Sequence, residues 1–231
     1  MLIHPNIEIE SLCLYIKKEQ ALVIGDLHLG FEEALNKQGV LIPRLQFKEI
    51  FENIKSLLEK LKPRLVVLVG DVKHEFSTIS NQEWNNLSKT IRLIKQYSEL
   101  IIIKGNHDTI LKPIAEREQA KVTDSYNLGK IQFLHGDVIK KNLKPIIIIG
   151  HEHPAISFKE RPTQKFKCFL KGKYKNSILI VMPSFSTISE GSDITRNYPL
   201  SPFLKDMSIN NLEVWAIEDK TYYFGKLKDI R

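Results

Sequence analysis

Five of the seven histidines in this 231-residue chain close short apolar runs together with glycine, aspartate or asparagine. In order, the groups are Asp26-x-His28, Gly70-Asp71, Gly105-Asn106-His107-Asp108, His135-Gly136 and Gly150-His151-x-His153. Their side chains are carboxylate, carboxamide and imidazole, with no sulfur. That is a hard-to-borderline donor set suited to Mn²⁺, Fe or Zn²⁺. A glycine ahead of a ligand lets the chain turn sharply while its backbone stays close to the site. One D-x-H or H-x-H alone is usually a surface loop or a satisfied polar cluster, and G-N-H-D alone can be a turn. Five such groups in one chain favour a metal centre. Of the remaining histidines, His4 stands apart and His74 follows Asp71 by three.

The elements that must position these groups are legible. "ALVIGD" (21–26), "RLVVLVGD" (64–71), "LIIIKGNHD" (100–108), "KIQFLHGD" (130–137) and "PIIIIGHEH" (145–153) are apolar runs without alternation. Such runs suit strands covered on both faces, as in the parallel or mixed sheets of α/β proteins. Apolar residues recur at helical intervals from Arg44 to Leu61, where Pro63 stops the pattern, and from Gln82 to Tyr97, with Ser80 or Asn81 as N-cap. Three hairpins are expected: one turning at Lys17–Gln20, one near Gly172 or Asn176, one at Glu218–Lys220. The pattern gives one α/β domain over residues 1–231, parallel in its first half and antiparallel in its second. In open α/β sheets ligands bind beyond the carboxyl ends of strands, where all five groups fall.

Bulk composition narrows the class. A hydrophobic share of 42% with 26% charged residues describes an ordinary globular chain rather than a disordered one. Cys13 and Cys168 are too few for a disulfide framework or a thiolate zinc site and read as buried small hydrophobes. No secretory signal or membrane-length apolar run is visible, so the expectation is a cytoplasmic protein without membrane contact. The net charge of +7 favours anionic partners.

The ordered set D-x-H, G-D, G-N-H-D, H-G, G-H-x-H over residues 26–153 resembles the calcineurin-like metallophosphoesterases. "GDLHLG" is similar to the first motif of SbcD-type nucleases. "GDVKHEF", "GHEHPA", "KCFL" and "MPSFSTISEG" resemble the small archaeal SbcD-related (ICC-like) phosphoesterases and their bacterial ligase-associated relatives. The resemblance implies a two-sheet mixed β sandwich flanked by helices, an α/β/β/α fold without a cap domain. It implies two divalent ions, Mn²⁺ foremost, with Fe, Zn²⁺ or Ni²⁺ also fitting. One ion would be held by Asp26, His28, Asp71 and His153, the other by Asp71, Asn106, His135 and His151. Two such ions less two carboxylates leave about +2 for an anion, and paired metals activate a bridging hydroxide against phosphorus. The activity implied is phosphodiester hydrolysis, on nucleotides or nucleic acid ends. A phosphomonoesterase or nucleotide phosphatase is the alternative on the same chemistry, and a non-catalytic scaffold the third reading, disfavoured by the complete ligand set.

The resemblance also assigns supporting roles. His107 would protonate or stabilise the leaving oxygen, with Asp108 holding its tautomer. His74 would either bind a substrate phosphate or cap the following helical region. Asn106 and Arg161 are candidate substrate contacts, as is Lys104, and Glu75, Ser184 and Ser186 candidate supports of the site. Finally, "KERPTQKFKCFLKGKYK" (159–175) holds seven basic residues and one acidic one, with Phe166, Phe169 and Tyr174 interleaved and Phe158 just ahead. It is either a nucleic-acid track or a lysine-rich hairpin with one wet face and its aromatics in the core. The second reading is the better one.

Overall fold

The structure is a computed structural model that describes residues 1–40, 43, 45–75 and 80–230. Arg44 of the first expected helix and Phe76 of "GDVKHEF" lie outside the described residues. A first sheet runs in chain order through β1 (Leu2–His4), β2 (Ile7–Glu10), β3 (Cys13–Ile16), β4 (Ala21–Ile24), β5 (Leu65–Val69), β6 (Glu99–Ile103) and β7 (Lys121–Thr123). Strands β1 to β4 pair antiparallel, and β4 to β7 pair parallel. The second sheet comprises β8 (Tyr126–Leu128), β9 (Ile131–Leu134), β10 (Ile146–Ile149), β11 (Pro154–Phe158), β12 (Arg161–Tyr174), β13 (Ser177–Val181), β14 (Ser192–Asp193), β15 (Glu213–Ile217) and β16 (Thr221–Lys226).

The division into a parallel first half and an antiparallel second half needs correcting. The first sheet opens with antiparallel hairpins, and the second has the parallel trio β9–β10–β13 at its heart. Burial explains the trio. Ile147, Ile148 and Ile149 are all buried, so both faces of β10 are covered, the situation parallel strands require. The three hairpin turns fall at 17–20, 175–176 and 218–220, between the strands as bounded above. Gly172 therefore stays inside β12, opposite Leu179.

Side chains alternate across each strand, and this splits the first sheet's apolar residues into two cores. Leu22, Ile24, Val66, Leu68 and Ile102 face the helices. Ala21, Val23, Val67, Val69, Ile101 and Ile103 face the second sheet, against Phe133, Ile148, Phe169, Ile180 and Met182. Two long helices cover the outer side of the first sheet. In chain order the helices are α1 (Phe31–Lys37), α2 (Gln46–Leu61), α3 (Asn81–Tyr97), α4 (Lys112–Arg117) and α5 (Pro202–Lys205). Ile50, Ile54 and Leu58 of α2 and Leu87, Ile91 and Ile94 of α3 form the buried stripes. Ser80 caps α3 in a capping box with Glu83.

Helices α1, α4 and α5 escape a periodicity reading because they span only 7, 6 and 4 residues. The outer face of the second sheet, with Ile147, Ile149, Leu179 and Val181, is covered by Phe203 and Leu204 of α5 and by Leu212 and Leu227. The fourth layer is thus thin, made of one helical turn and short irregular segments.

Candidate metal centre

All five polar groups leave the carboxyl ends of parallel strands: β4, β5 and β6 of one sheet, β9 and β10 of the other. Asp26 follows β4 and is held from three sides. Its Oδ1 accepts the Asp71 backbone N–H at 2.9 Å and its Oδ2 accepts the His151 N–H at 3.0 Å. The backbone carbonyl of Asp26 accepts from Phe185 N at 2.9 Å and Ser184 Oγ at 3.0 Å. One carboxylate thereby ties the ends of β4, β5 and β10 together. Glycine makes the approach possible. At Gly70, φ is 103° and a Cβ would overlap Asp26 Oδ1; at Gly105 a Cβ would overlap Asp71 Oδ1. Of the ten described non-glycine residues with left-handed backbone, three are candidate ligands: His28 (φ 47°), His151 (φ 63°) and His153 (φ 48°). Each such conformation costs on the order of 1 kcal/mol, and such strain concentrates at functional sites.

The side chains converge as two adjoining groups. Asp26, His28 and His153 form one, with His28 Nε2 at 3.2 Å from His153 Nε2 and the latter at 3.2 Å from Asp26 Oδ2. Asp26, Asp71 and His135 form the other. His135 Nε2 lies 3.6 Å from Asp71 Oδ2, 2.8 Å from Asn106 Oδ1 and 3.1 Å from His151 Nδ1. The donor chemistry fits divalent cations. Two neutral imidazoles facing each other share at most one N–H, so nitrogen lone pairs are left converging on carboxylates in a buried space. The sets Asp26, His28, Asp71, His153 and Asp71, Asn106, His135, His151 could each hold one ion; the residue that the two converging groups share is Asp26.

The charges make the same point. Burial drives the Asp71 carboxyl up to about 9, and the neighbouring carboxylates of Asp26 and Asp108 add to it. Burial opposes ionisation of Asp26 as well, but His153, His135 and His28 around it hold its carboxyl well below the ordinary range. Burial also lowers the imidazoles, His28 to about 3 and His151 to about 4, which keeps them neutral and able to donate lone pairs. Two cations would relieve the carboxylate repulsion and release the proton from Asp71.

The expected supporting roles divide. His107 stands at the centre: its Nε2 is 3.8 Å from Asp71 Oδ2 and its backbone N–H donates to Asp71 Oδ1 at 2.8 Å. Its Nδ1 is paired with the His74 backbone carbonyl. The tautomer is therefore set by His74, and the role expected for Asp108 needs correcting. Asp108 instead accepts backbone N–H groups from Val72, Lys73 and Gly105, clamping the loop after β6 onto the loop after β5. The His74 ring lies 5.6 Å from that of His28 and 5.7 Å from that of His107, centroid to centroid, and joins both in a third converging group. Helix α3 is capped by Ser80, so the capping alternative for His74 is not realised. Ser184 supports Asp26, and Ser186 Oγ accepts from Gln46 Nε2 at 2.8 Å while that amide also reaches the His28 carbonyl at 3.3 Å. Glu75 acts on Lys73 and His74 electrostatically.

Arg161 is not brought into the cluster. It is exposed at the far end of the β11–β12 hairpin, and its guanidinium meets Gln164 at 3.5 Å. The basic segment likewise resolves into the wet hairpin. Phe169 and Tyr174 are fully buried, Lys171 pairs with Glu213 at 2.6 Å, Lys165 with Glu190 at 3.3 Å and Lys175 with Asp206 at 2.9 Å. Lys167 donates to the carbonyls of Ser184 and Ser186, and burial lowers its amine to about 8. Lys104 lines a cleft of about 270 Å³ that also contains Asn106, His135, Asp137 and Lys140.

Gln46, Lys167 and Glu152 escaped the sequence reading. Gln46 and Lys167 carry no local signal, because each reaches the site across the fold. Glu152 had one: a carboxylate between two candidate ligands, fully buried, accepting the N–H groups of Leu200 and Ser201 at 2.8 and 2.7 Å.

This geometry agrees with the comparisons. Residues 20–205 match the family model for calcineurin-like phosphoesterases, and the chain belongs to that family. No curated protein matches it. Among solved structures, the Pseudomonas putida nuclease MPE is similar with a TM-score of 0.69 at 15% identity, covering 95% of this chain and 100% of that one. The E. coli phosphoesterase YfcE aligns with a TM-score of 0.41 at 11% identity over 91% of this chain and 94% of that one. At its identity, the likeness to the nuclease shows the fold alone. A metallophosphoesterase fold, divalent metal binding and a phosphate-ester substrate class follow from family membership, and the Asp/His clusters could hold such ions. No described helix is long and apolar enough to cross a membrane.

Proposed function

We propose that residues 1–231 act as one metallophosphoesterase domain that hydrolyses phosphodiesters, with nucleotides or nucleic acid ends as substrates and two Mn²⁺ ions as cofactor. The observation that supports this reading is the convergence of Asp26, His28 and His153 beside Asp26, Asp71 and His135, with Asp71 Oδ2 3.6 Å from His135 Nε2. Asp26, His28, Asp71 and His153 would hold one ion, and Asp71, Asn106, His135 and His151 the other. When bound, the pair supplies an activated water and neutralises charge on the phosphoryl oxygens. The remaining work falls to the chain's own residues. His107, its Nδ1–H held by the His74 carbonyl, would deliver a proton from Nε2 to the leaving oxygen only as the imidazolium, a form that this hydrogen bond favours against burial. His74 and Lys104 face the approach and contact the non-bridging oxygens. The fold likeness to a nuclease supports a diester rather than a monoester substrate.

The experiment is a matrix of Mn²⁺, Fe²⁺, Zn²⁺ and Ni²⁺ against bis(4-nitrophenyl) phosphate and 4-nitrophenyl phosphate, with Asp71→Asn as control. Preferential hydrolysis of the diester with Mn²⁺, reduced on the order of 10²-fold or more in Asp71→Asn, is expected, since charge stabilisation of several kcal/mol is at stake. Preference for the monoester would replace the reading with a phosphomonoesterase. Hydrolysis in no combination would mark a scaffold.

A further inference from the structure

The residue between the two ligand histidines leads to an unexplained feature of the surface. Glu152 Oε2 accepts the backbone N–H groups of Leu200 and Ser201, and Ser201 Oγ donates to the Gly136 carbonyl at 2.7 Å, one residue past His135. The other end of the same segment is fixed by Asp193. Its Oδ1 accepts Thr195 N at 2.9 Å, and its carbonyl accepts Asn197 N at 2.8 Å. Between these anchors stands Tyr198, 94% exposed, the most exposed large hydrophobic side chain among the described residues. A phenol ring held out into water on a pinned backbone gives up contact that folding would otherwise use. Pro199 beside it further restricts the backbone.

Tyr198 borders a groove of about 530 Å³ whose walls include Arg196, Leu204, Lys205, Met207 and Ile209. Leu204 is buried, Met207 and Ile209 are half-buried, and Lys205 is exposed. Arg196 is about half exposed and reaches Asp193 Oδ2 at 3.7 Å. The lining combines an aromatic plane, an apolar floor and two cations, with no carboxylate among the lining residues. That mixture favours a flat, neutral ring attached to an anionic backbone. Aromatic side chains with nearby cations bind single-stranded nucleic acid in this manner, because every base has a π-face. In the basic hairpin at 159–175, by contrast, Phe169 and Tyr174 are buried and the half-buried Phe166 packs on Phe158.

We propose that Tyr198 is a stacking platform for a nucleobase of a bound strand, and that the groove beside it receives a single-stranded nucleic acid end. This deepens the diesterase reading and rests on it. Glu152, between His151 and His153 in the chain, ties the Leu200–Ser201 backbone two residues past Tyr198 to that loop.

The test compares wild type, Tyr198→Ala and Tyr198→Phe by fluorescence anisotropy with a labelled single-stranded oligonucleotide and with an abasic one of equal length, with and without Mn²⁺. Tyr198→Ala is expected to weaken binding of the base-bearing strand about tenfold, an effect of the size known for single stacked bases. Tyr198→Phe should bind as wild type, and all three should bind the abasic strand equally. Hydrolysis of the abasic strand and Mn²⁺ affinity by calorimetry should be the same in all three. Equal weakening on both strands, or none on either, would overturn the stacking role. Wild-type protein that binds the strand through Tyr198 but cleaves neither strand would overturn the diesterase reading and leave the platform standing. Self-association removed by Tyr198→Ala in analytical ultracentrifugation, without any oligonucleotide effect, would assign the face to a second copy of the chain and end the proposal.

Discussion

The Asp71 carboxylate accepts the His107 backbone N–H at 2.8 Å and lies beside the carboxylates of Asp26 and Asp108. His107, on the adjoining loop, is half-buried with Nδ1 committed to the His74 carbonyl, which leaves Nε2 3.8 Å from Asp71 Oδ2. Burial lowers its pKa while the bond to His74 opposes the shift. If Nε2 supplies the leaving-group proton, His107→Ala should lower kcat by roughly 10²–10³-fold on an alkyl diester and far less on a nitrophenyl diester, whose leaving group needs no proton. Mn²⁺ affinity should be unchanged by calorimetry; equal losses on both substrates would refute the role. At this scale the sequence was informative because chemistry restricts ligand types so severely. Asp26, His28, Asp71, Asn106, His135, His151 and His153 could be picked out by type and position at strand ends. Asp108 and Arg161 could not be placed, since a carboxylate that clamps backbone amides and a guanidinium at a hairpin tip look no different in sequence from groups that touch substrate.

Elements position these residues by bringing strand ends within reach of a single carboxylate, which demands backbone unencumbered by side chains. Gly105 sits at the end of β6, where a Cβ would overlap Asp71 Oδ1. A Cβ there would also come within 2.6 Å of the Asp71 backbone N, so Gly105→Ala must shift the loop after β5 as well as the carboxylate proposed for both donor sets, and its folding is checked by circular dichroism. Mn²⁺ affinity is expected to fall at least about tenfold, the lower end of the range for displaced supports of ligands. Unchanged affinity would show that Asp71 does not hold metal in the orientation described. The long strands and helices were legible because Val66–Val69 and Ile146–Ile149 are unbroken apolar runs and α2 and α3 are long enough to show helical spacing. The short helices were not, and neither was the pairing of β10 with β13, which depends on a contact across about thirty residues of intervening chain.

Across the whole molecule, the buried titrating groups couple folding to pH and metal. In metal-free protein, His28 and His151 titrate near 3 and 4, below the ordinary 6.5, so the unfolded chain binds more protons and stability rises with pH up to about 6.5. Asp71 acts in the opposite sense: it keeps its proton to about 9 when folded but loses it near 3.8 when unfolded, so its contribution falls as pH rises. Asp108 follows the same sense and is spent by about 6. Between about pH 6.5 and 8 the Asp71 slope is left dominant among these groups, although Lys167, half titrated near 8, increasingly opposes it toward the upper end. Chelated protein should therefore show a melting temperature that declines across this window, and Mn²⁺ should abolish the decline. A chelated protein whose stability rises from 6.5 to 8 would contradict the protonated Asp71. The most direct test of the shared aspartate is electron paramagnetic resonance of protein reconstituted with two equivalents of Mn²⁺. The spectrum should show a spin-coupled pair that collapses to the isolated-ion sextet in Asp71→Asn. Two magnetically independent ions in the wild type, or coupling that survives in Asp71→Asn, would contradict a centre bridged by that carboxylate.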